Sequence, residues 1–296
     1  MAEEVVSYLL GNNGVKYLDC TLGAGGHIAL LLEKARRPIE ILGMDVDKDA
    51  VEFAKERFKG FKNVRIQQGD YGNIDKYAQI YGLGDLDGIL TDFGQSSDQI
   101  ASDSTGMSYL RDARLDMRYD RTSGITAEDY LNSVSYGELK RVLKDVGQES
   151  NAVRIARAIV RAKPLTTTGD LLKAIRSVTF PREQNKVLSR VFMVVRVVVN
   201  DELGAIDRFL DHAPKLLKSG GRILCISFDS NQDRRVKNAF RLLANPCTCP
   251  PNLPLCVCNR VPTMKVLTPH ALKPTASEIA SNKRSRSARL RIAEKI

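Results

Sequence analysis

Gly23-Ala24-Gly25-Gly26 is the stretch of this chain whose composition points most directly to ligand chemistry. It lies between an apolar run, Lys16 to Leu22, and a segment with Ile28, Leu31 and Leu32 at helical spacing. Glycines at such a strand-to-helix turn let the backbone approach a ligand closely. Asp45 closes the next apolar run, 22 positions after Gly23, where a carboxylate can accept hydrogen bonds from both hydroxyls of a ribose. The dinucleotide pattern G-x-G-x-x-G is not kept, because His27 and Ile28 stand where its last positions would be. The loop therefore suits a nucleoside ligand without a pyrophosphate, such as S-adenosylmethionine. The competing reading is a structural turn with Asp45 as a cap. Asp92 ends a further apolar run in TDFGQSSDQ, a place for adenine or catalytic contacts in such sheets, or a simple helix cap. Tyr71 reads equally as an adenine wall or as core.

The elements that must hold these residues alternate. Lys16 to Leu22, Ile39 to Val46, Val64 to Gln67 and Asp85 to Asp92 read as strands, with helices over His27 to Ala35 and Asp49 to Phe58. Strands separated by helices of this length indicate βαβ units and a parallel sheet. From Ser102 to Asn200 the signals are almost all helical, with Ile155, Ile159 and Ala162 on one face and Arg154, Arg157 and Arg161 on another. A long helix, Asp201 to Leu217, is expected to stop at Gly220-Gly221, followed by strands at Arg222 to Phe228, Met264 to Leu267 and Ser287 to Ile292. The expected organisation is a sheet domain in two parts, residues 1–101 and 201–296, around an inserted all-helical domain, residues 102–200.

Lys and Arg outnumber Asp and Glu 45 to 35, a net charge of +10 that favours an anionic partner. Nucleic acid fits better than a membrane: the apolar run Val191 to Val199 is short and broken by Arg196, and the acidic start Met1-Ala2-Glu3-Glu4 is unlike a signal peptide. Cys20 and Cys225 sit inside apolar runs, and six cysteines in a chain this long do not make a disulfide framework, so a cytoplasmic protein is expected. Cys247-Thr248-Cys249 and Cys256-Val257-Cys258 read as a thiol-rich loop, with four-thiolate zinc the alternative; no metal is assigned.

With these residues in view, the chain resembles the MraW/RsmH family of bacterial 16S rRNA (cytosine-N4)-methyltransferases. The landmarks are LDCTLGAGGH (18–27), GMDVD (43–47), DGILTDFGQSSDQ (87–99), LDMRYD (115–120), RIARAIV (154–160), VNDELGAID (199–207), GGRILCISFDS (220–230) and NKRSRSARLRIAEK (282–295). The resemblance implies an α/β fold, a class I (Rossmann-like) S-adenosylmethionine-dependent methyltransferase sheet with an inserted helical domain that recognises the substrate. It implies N4-methylation of a decoding-centre cytidine of 16S rRNA within the small ribosomal subunit. Cofactor contacts are expected at Gly23, Gly25, Gly26, His27, Asp45, Tyr71, Asp92 and Gln99, and catalytic roles at Asp92, Phe93 and Ser96, with Phe93 or Phe192 stacking the base. RNA phosphates are expected at Arg154, Arg157, Arg190, Arg196, Arg286 and Arg289.

Several positions depart from the family pattern. Lys186 and Met193 replace a His and a Gln, Asp229 replaces a His, and Gln232 replaces a Glu. The family's His-x-Pro-Val-Met segment is not found, so an earlier natural start is expected. The second functional expectation is accordingly a diverged relative that binds rRNA as an assembly factor. The sequence does not fix the oligomeric state, with a dimer as one expectation.

Overall fold

A computed structural model describes residues 1–96, 105–250 and 257–296. The chain divides into two compact units, residues 1–94 with 204–296, and residues 95–203. The boundaries fall at Gly94 and Leu203, seven residues before and three residues after the positions expected from the sequence.

The first unit is built on seven strands: β1 (Lys16–Asp19), β2 (Glu40–Asp45), β3 (Val64–Gln68), β4 (Leu86–Asp92), β5 (Leu217–Ser227), β6 (Met264–Val266) and β7 (Arg289–Lys295). They lie in the order β3-β2-β1-β4-β5-β7-β6, all parallel except β7, which runs antiparallel to both neighbours. Helices α1 (Ala2–Leu10), α2 (Gly26–Lys34), α3 (Lys48–Arg57) and α4 (Ile74–Tyr81) belong to its first half. Because β1 is flanked by β2 on one side and β4 on the other, the strand order reverses there. Ligands of doubly wound sheets bind at that switch point, beyond the strand carboxyl ends. Apolar residues of both chain segments close the core, among them Val5, Ile28, Leu90, Leu224 and Ile292.

Two sequence expectations change here. Helix α1 has no counterpart in them, although Val5, Val6 and Leu9 are buried at helical spacing. The long helix ends earlier: the element spans Glu202–His212, a tight turn follows over Ala213–Leu216, and β5 begins at Leu217. Gly220-Gly221 therefore lies inside the strand, where the register against β4 jumps from Leu86↔Leu217 to Gly88↔Arg222. Gly220 has φ +77°, and a Cβ on Gly221 would stand 2.6 Å from the Leu86 carbonyl oxygen. The glycines accommodate a bulge in the strand; they do not stop a helix.

The second unit carries α5 (Ala127–Ser133), α6 (Tyr136–Asp145), α7 (Ala152–Arg161), α8 (Thr168–Arg176) and α9 (Gln184–Val199), and α10 (Glu202–His212) leads out of it. Capping boxes start α5 (Thr126 with Asp129) and α8 (Thr167 with Asp170). Leu131, Leu139, Ile155, Leu171 and Leu188 are wholly buried in its core. Residues 105–125 are not helical, in contrast to the sequence reading. Side chains hold that stretch instead. Asn200 accepts from the Tyr119 N–H (2.7 Å) and donates to the Met117 carbonyl (2.7 Å), while Asp112 accepts from the Gly169 N–H (2.8 Å).

Candidate active site

The carboxyl end of β1 carries the chain between the ends of β2 and β4. Leu22 donates to the Met44 carbonyl and Cys20 to the Leu90 carbonyl, so the glycine loop grows out of the sheet itself. Asp45, ending β2, accepts from the Gly23 N–H (2.7 Å) through Oδ2 and from the Asp47 N–H (2.9 Å) through Oδ1. Each carboxylate oxygen retains a further lone pair for a ligand hydroxyl. Burial raises the Asp45 carboxyl above its usual range, a shift opposed by those backbone donors.

Gly25 has φ +75° and precedes α2. A Cβ there would stand 2.4 Å from the Phe58 ring, so only glycine fits. Gly23 and Gly26 differ: among the described residues, beyond the adjoining backbone, no atom lies within 4 Å of the place a Cβ would occupy. They line an open cradle. The Arg57 guanidinium fixes its rim by donating to the Ala24 carbonyl. His27, in the first turn of α2, is half-buried, and burial pushes its imidazole down to about 4, so it is neutral near pH 7.

Asp92 ends β4. Its N–H donates to Thr21 Oγ1 (2.6 Å), while its Oδ1 is buried with no hydrogen-bond partner among the described residues. Burial pushes the Asp92 carboxyl up to about 7. Asp19, ending β1, behaves alike: Oδ1 accepts from the Thr21 N–H (3.1 Å) and Oδ2 is left without a partner. Its carboxyl is raised to about 7, by burial first, with Asp45 and Asp92 adding repulsion. Sequence reasoning passed over Asp19 and Thr21; a charged residue inside the buried run Tyr17 to Cys20 was the available signal. Polar groups buried without partners are costly, and native folds keep few of them.

Tyr71 lies in a tight turn after β3, its ring 5.6 Å from that of Phe93 and 5.8 Å from that of Phe209. Tyr71 is half-buried, and it alone of the three rings keeps an accessible surface. Phe93 requires a correction. At 1% exposure it cannot stack against a substrate base; it backs the Tyr71 ring. Phe192 is likewise buried, packed edge-on against Tyr109. Ser96 is half-buried four positions beyond Asp92, and Gln99 lies outside the described residues.

The arginines separate into two groups. Arg154 and Arg157 are exposed on α7, and Arg286 is exposed near the start of β7. Arg286 and Arg289 line a concavity with Phe228, Asp229, Ser230 and Lys273, beyond the end of β5. Arg289 also donates to Asp233 (3.0 Å). Arg196 is a correction: at 9% exposure it makes two bonds to Glu202, 2.7 and 3.2 Å, and holds the helical unit together. Arg190 is drawn back in a similar way by the buried Glu149 carboxylate, 2.7 Å away.

The departures at 229 and 232 have structural employment. Asp229 caps the helix α11 (Ser230–Ala244), accepting from the Asn231 and Gln232 N–H groups at 2.7 and 3.0 Å. Gln232 is buried and accepts from the Phe228 N–H (2.9 Å). Both stabilise the turn after β5.

A glycine cradle, an acid ending β2, a half-buried tyrosine after β3 and a carboxylate ending β4 with one buried oxygen unpartnered among the described residues, on this strand order, define a class I S-adenosylmethionine-dependent methyltransferase. The residues fit that cofactor: the cradle is open, the acid is placed for ribose hydroxyls, and Tyr71 offers a flat face. The sequence profile of the MraW methylase family matches residues 1–296, and the chain belongs to that family. It is 39% identical over 300 residues to the ribosomal RNA small subunit methyltransferase H of Caldicellulosiruptor bescii, covering 100% of this chain and 98% of that protein. The protein of the same name from Clostridioides difficile is 39% identical over 288 residues, covering 95% and 92%. Among solved structures, SMU.1697c, a putative methyltransferase from Streptococcus mutans in complex with SAH, matches with a TM-score of 0.42 and 13% identity, covering 99% of this chain and 97% of that one. Among the described residues no helix is long and apolar enough to cross a membrane.

Proposed function

We propose that this chain methylates the N4 amino group of a decoding-centre cytidine in 16S rRNA of the small ribosomal subunit. The name of the full-length relatives supports the substrate class, and the buried, unpartnered Oδ1 of Asp92 at the end of β4 carries the chemical reading. The cofactor's sulfonium supplies an activated methyl group, so the protein's task is chiefly alignment and proton handling.

Gly23, Gly25, Gly26 and His27 form the cradle, Asp45 takes the ribose hydroxyls, and Tyr71 faces the adenine. Asp92 Oδ1 accepts a hydrogen bond from the exocyclic amino group, turning its nitrogen toward the methyl carbon. With the cofactor bound, formation of the C–N bond would break the methyl–sulfonium bond and release the neutral thioether product, and the nitrogen would shed one proton, which the Asp92 carboxylate, pushed up to about 7 by burial, is suited to receive. The base must leave its stack to reach this position, typically at a cost of a few kcal/mol. Arg154 and Arg157 on α7, and Arg286 with Arg289 at the concavity beyond β5, are the side chains proposed to meet phosphates. The helical unit is the proposed substrate-recognition domain.

The test is to incubate the protein and S-adenosylmethionine with small subunits from cells lacking the family enzyme, then digest the rRNA to nucleosides. One N4-methylcytidine, mapped to the decoding centre, is expected. Methyl on another atom or another region would replace the substrate assignment, and binding without transfer would favour the assembly-factor reading.

A further inference from the structure

The connection between α11 and β6, residues 245–263, contains no helix or strand among its described residues. Connections this long without secondary structure are uncommon in compact domains unless something else fixes or uses them. Its base is tied by backbone bonds: the Thr263 N–H donates to the Leu243 carbonyl (3.0 Å), and the Ile296 N–H to the Thr263 carbonyl (3.1 Å). Above that base, no described residue of the connection is buried, and Val257 and Val261 are 69% and 72% exposed. Among its described residues, apolar packing does not set the shape of this loop.

What converges in it is sulfur. The Sγ atoms of Cys247, Cys249 and Cys258 lie within 4.8 Å of one another, although Cys258 follows Cys249 by nine residues. Asn259, with φ +51°, turns the chain immediately afterwards. A tetrahedral zinc with Zn–S bonds of about 2.3 Å sets its sulfurs about 3.8 Å apart, so closure needs movements of only about an ångström. Thiolates are soft ligands that select zinc over the hard cations magnesium and calcium.

We infer that Cys247, Cys249 and Cys258 bind one zinc ion that fixes the loop leading into the edge strand β6. On binding, the three thiols release their protons to solvent and donate through sulfur, and the fourth tetrahedral position is left to a further donor. Cys256 shares the sequence pattern but lies outside the described residues, so the site is argued on the other three alone. The zinc is structural: it cross-links Cys258 to Cys247 and Cys249 across a stretch whose described residues are not buried, and it does not take part in methyl transfer.

The full chain, purified in reducing buffer without added metal, is expected to carry about one zinc, read by elemental mass spectrometry. In a Cys247→Ser/Cys258→Ser variant that content should fall about tenfold or more, with the far-ultraviolet circular dichroism of the sheet unit retained. Cys225→Ala, which removes a buried strand thiol, should leave the zinc content unchanged. Titration of the zinc-stripped wild-type chain with cobalt(II) should produce thiolate-to-cobalt charge-transfer absorption, a readout that does not depend on any variant folding. A reduced wild-type chain that holds no zinc and gives no such absorption would overturn the proposal. So would an intramolecular disulfide among these cysteines in a metal-free chain.

Discussion

At the carboxyl end of the sheet, Asp19, Thr91 and Asp92 each keep a buried oxygen without a hydrogen bond among the described residues. In the helical unit the buried charges Asp116, Glu149, Arg196 and Glu202 meet partners. Arg118 forks onto Asp116 at 2.8 and 3.1 Å, Arg190 meets Glu149, and Arg196 meets Glu202, which also accepts from the Tyr119 hydroxyl (2.9 Å). The Gln95 amide oxygen and the Tyr130 hydroxyl are the helical unit's buried side-chain groups without a hydrogen bond among the described residues. The difference separates a surface built to receive a ligand from a scaffold built to hold itself. Arg196 is buried against Glu202 and Arg190 is drawn inward by Glu149, so both leave the proposed phosphate-binding set, while the exposed Arg154 and Arg157 stay in it.

Four substitutions sharpen the contrast. Asp92→Asn removes a proton acceptor but preserves shape, and methyl transfer at saturating cofactor should fall by roughly 10²–10⁴. Retention of most of the rate would make the unpartnered oxygen irrelevant to the reaction. Glu202→Ala removes the carboxylate that accepts two bonds from the buried Arg196 guanidinium and should cost about 3–5 kcal/mol of stability, read by denaturant unfolding; an unchanged midpoint would show that the pair does not stabilise the helical unit. Asp45→Ala should weaken cofactor binding by about 1.5–3 kcal/mol in calorimetry, since hydrogen bonds to a charged group are lost. The smallest change is expected from Arg157→Ala, with the slope of RNA affinity against salt reduced by about one unit and little change in the rate at saturation.

Transfer should also follow pH. If Asp92 must be ionised to accept a proton, the rate at saturating cofactor rises as pH passes about 7 and levels above it. Asp19, with a similarly raised carboxyl, makes the observed midpoint a property of the pair.

The parts of the site set by backbone geometry were readable from sequence. Gly25 must adopt φ +75° against Phe58, and a glycine cluster after an apolar run announces such a turn. Asp45 followed from its place at the end of the next strand. The errors lie where burial depends on tertiary partners. Phe93 is sealed by Phe209, more than a hundred residues further along the chain, and nothing local signals that contact. Arg196 carried a warning, since it interrupts a valine-rich run on α9, but its partner lies on the next helix. Asp229 and Gln232 look like lost catalytic groups until the turn after β5 shows them as acceptors for backbone N–H groups. The bulge at Gly220-Gly221 was hidden because a glycine pair after a helical stretch reads the same way as a helix stop.

On this reading the sheet unit holds the Asp92 carboxylate for a ligand at a cost to its own stability. A carboxyl raised to about 7 in the folded protein favours the fold fully below its unfolded value, near 3.8, and that contribution is lost as pH rises through 7. The decisive measurement is therefore thermal unfolding of the cofactor-free wild-type chain and the Asp92→Asn variant from about pH 4 to about pH 8. The variant should be more stable than wild type at the alkaline end, with its advantage shrinking toward the acid end. A variant less stable than wild type throughout would show instead that Asp92 serves the fold and is not held for a ligand.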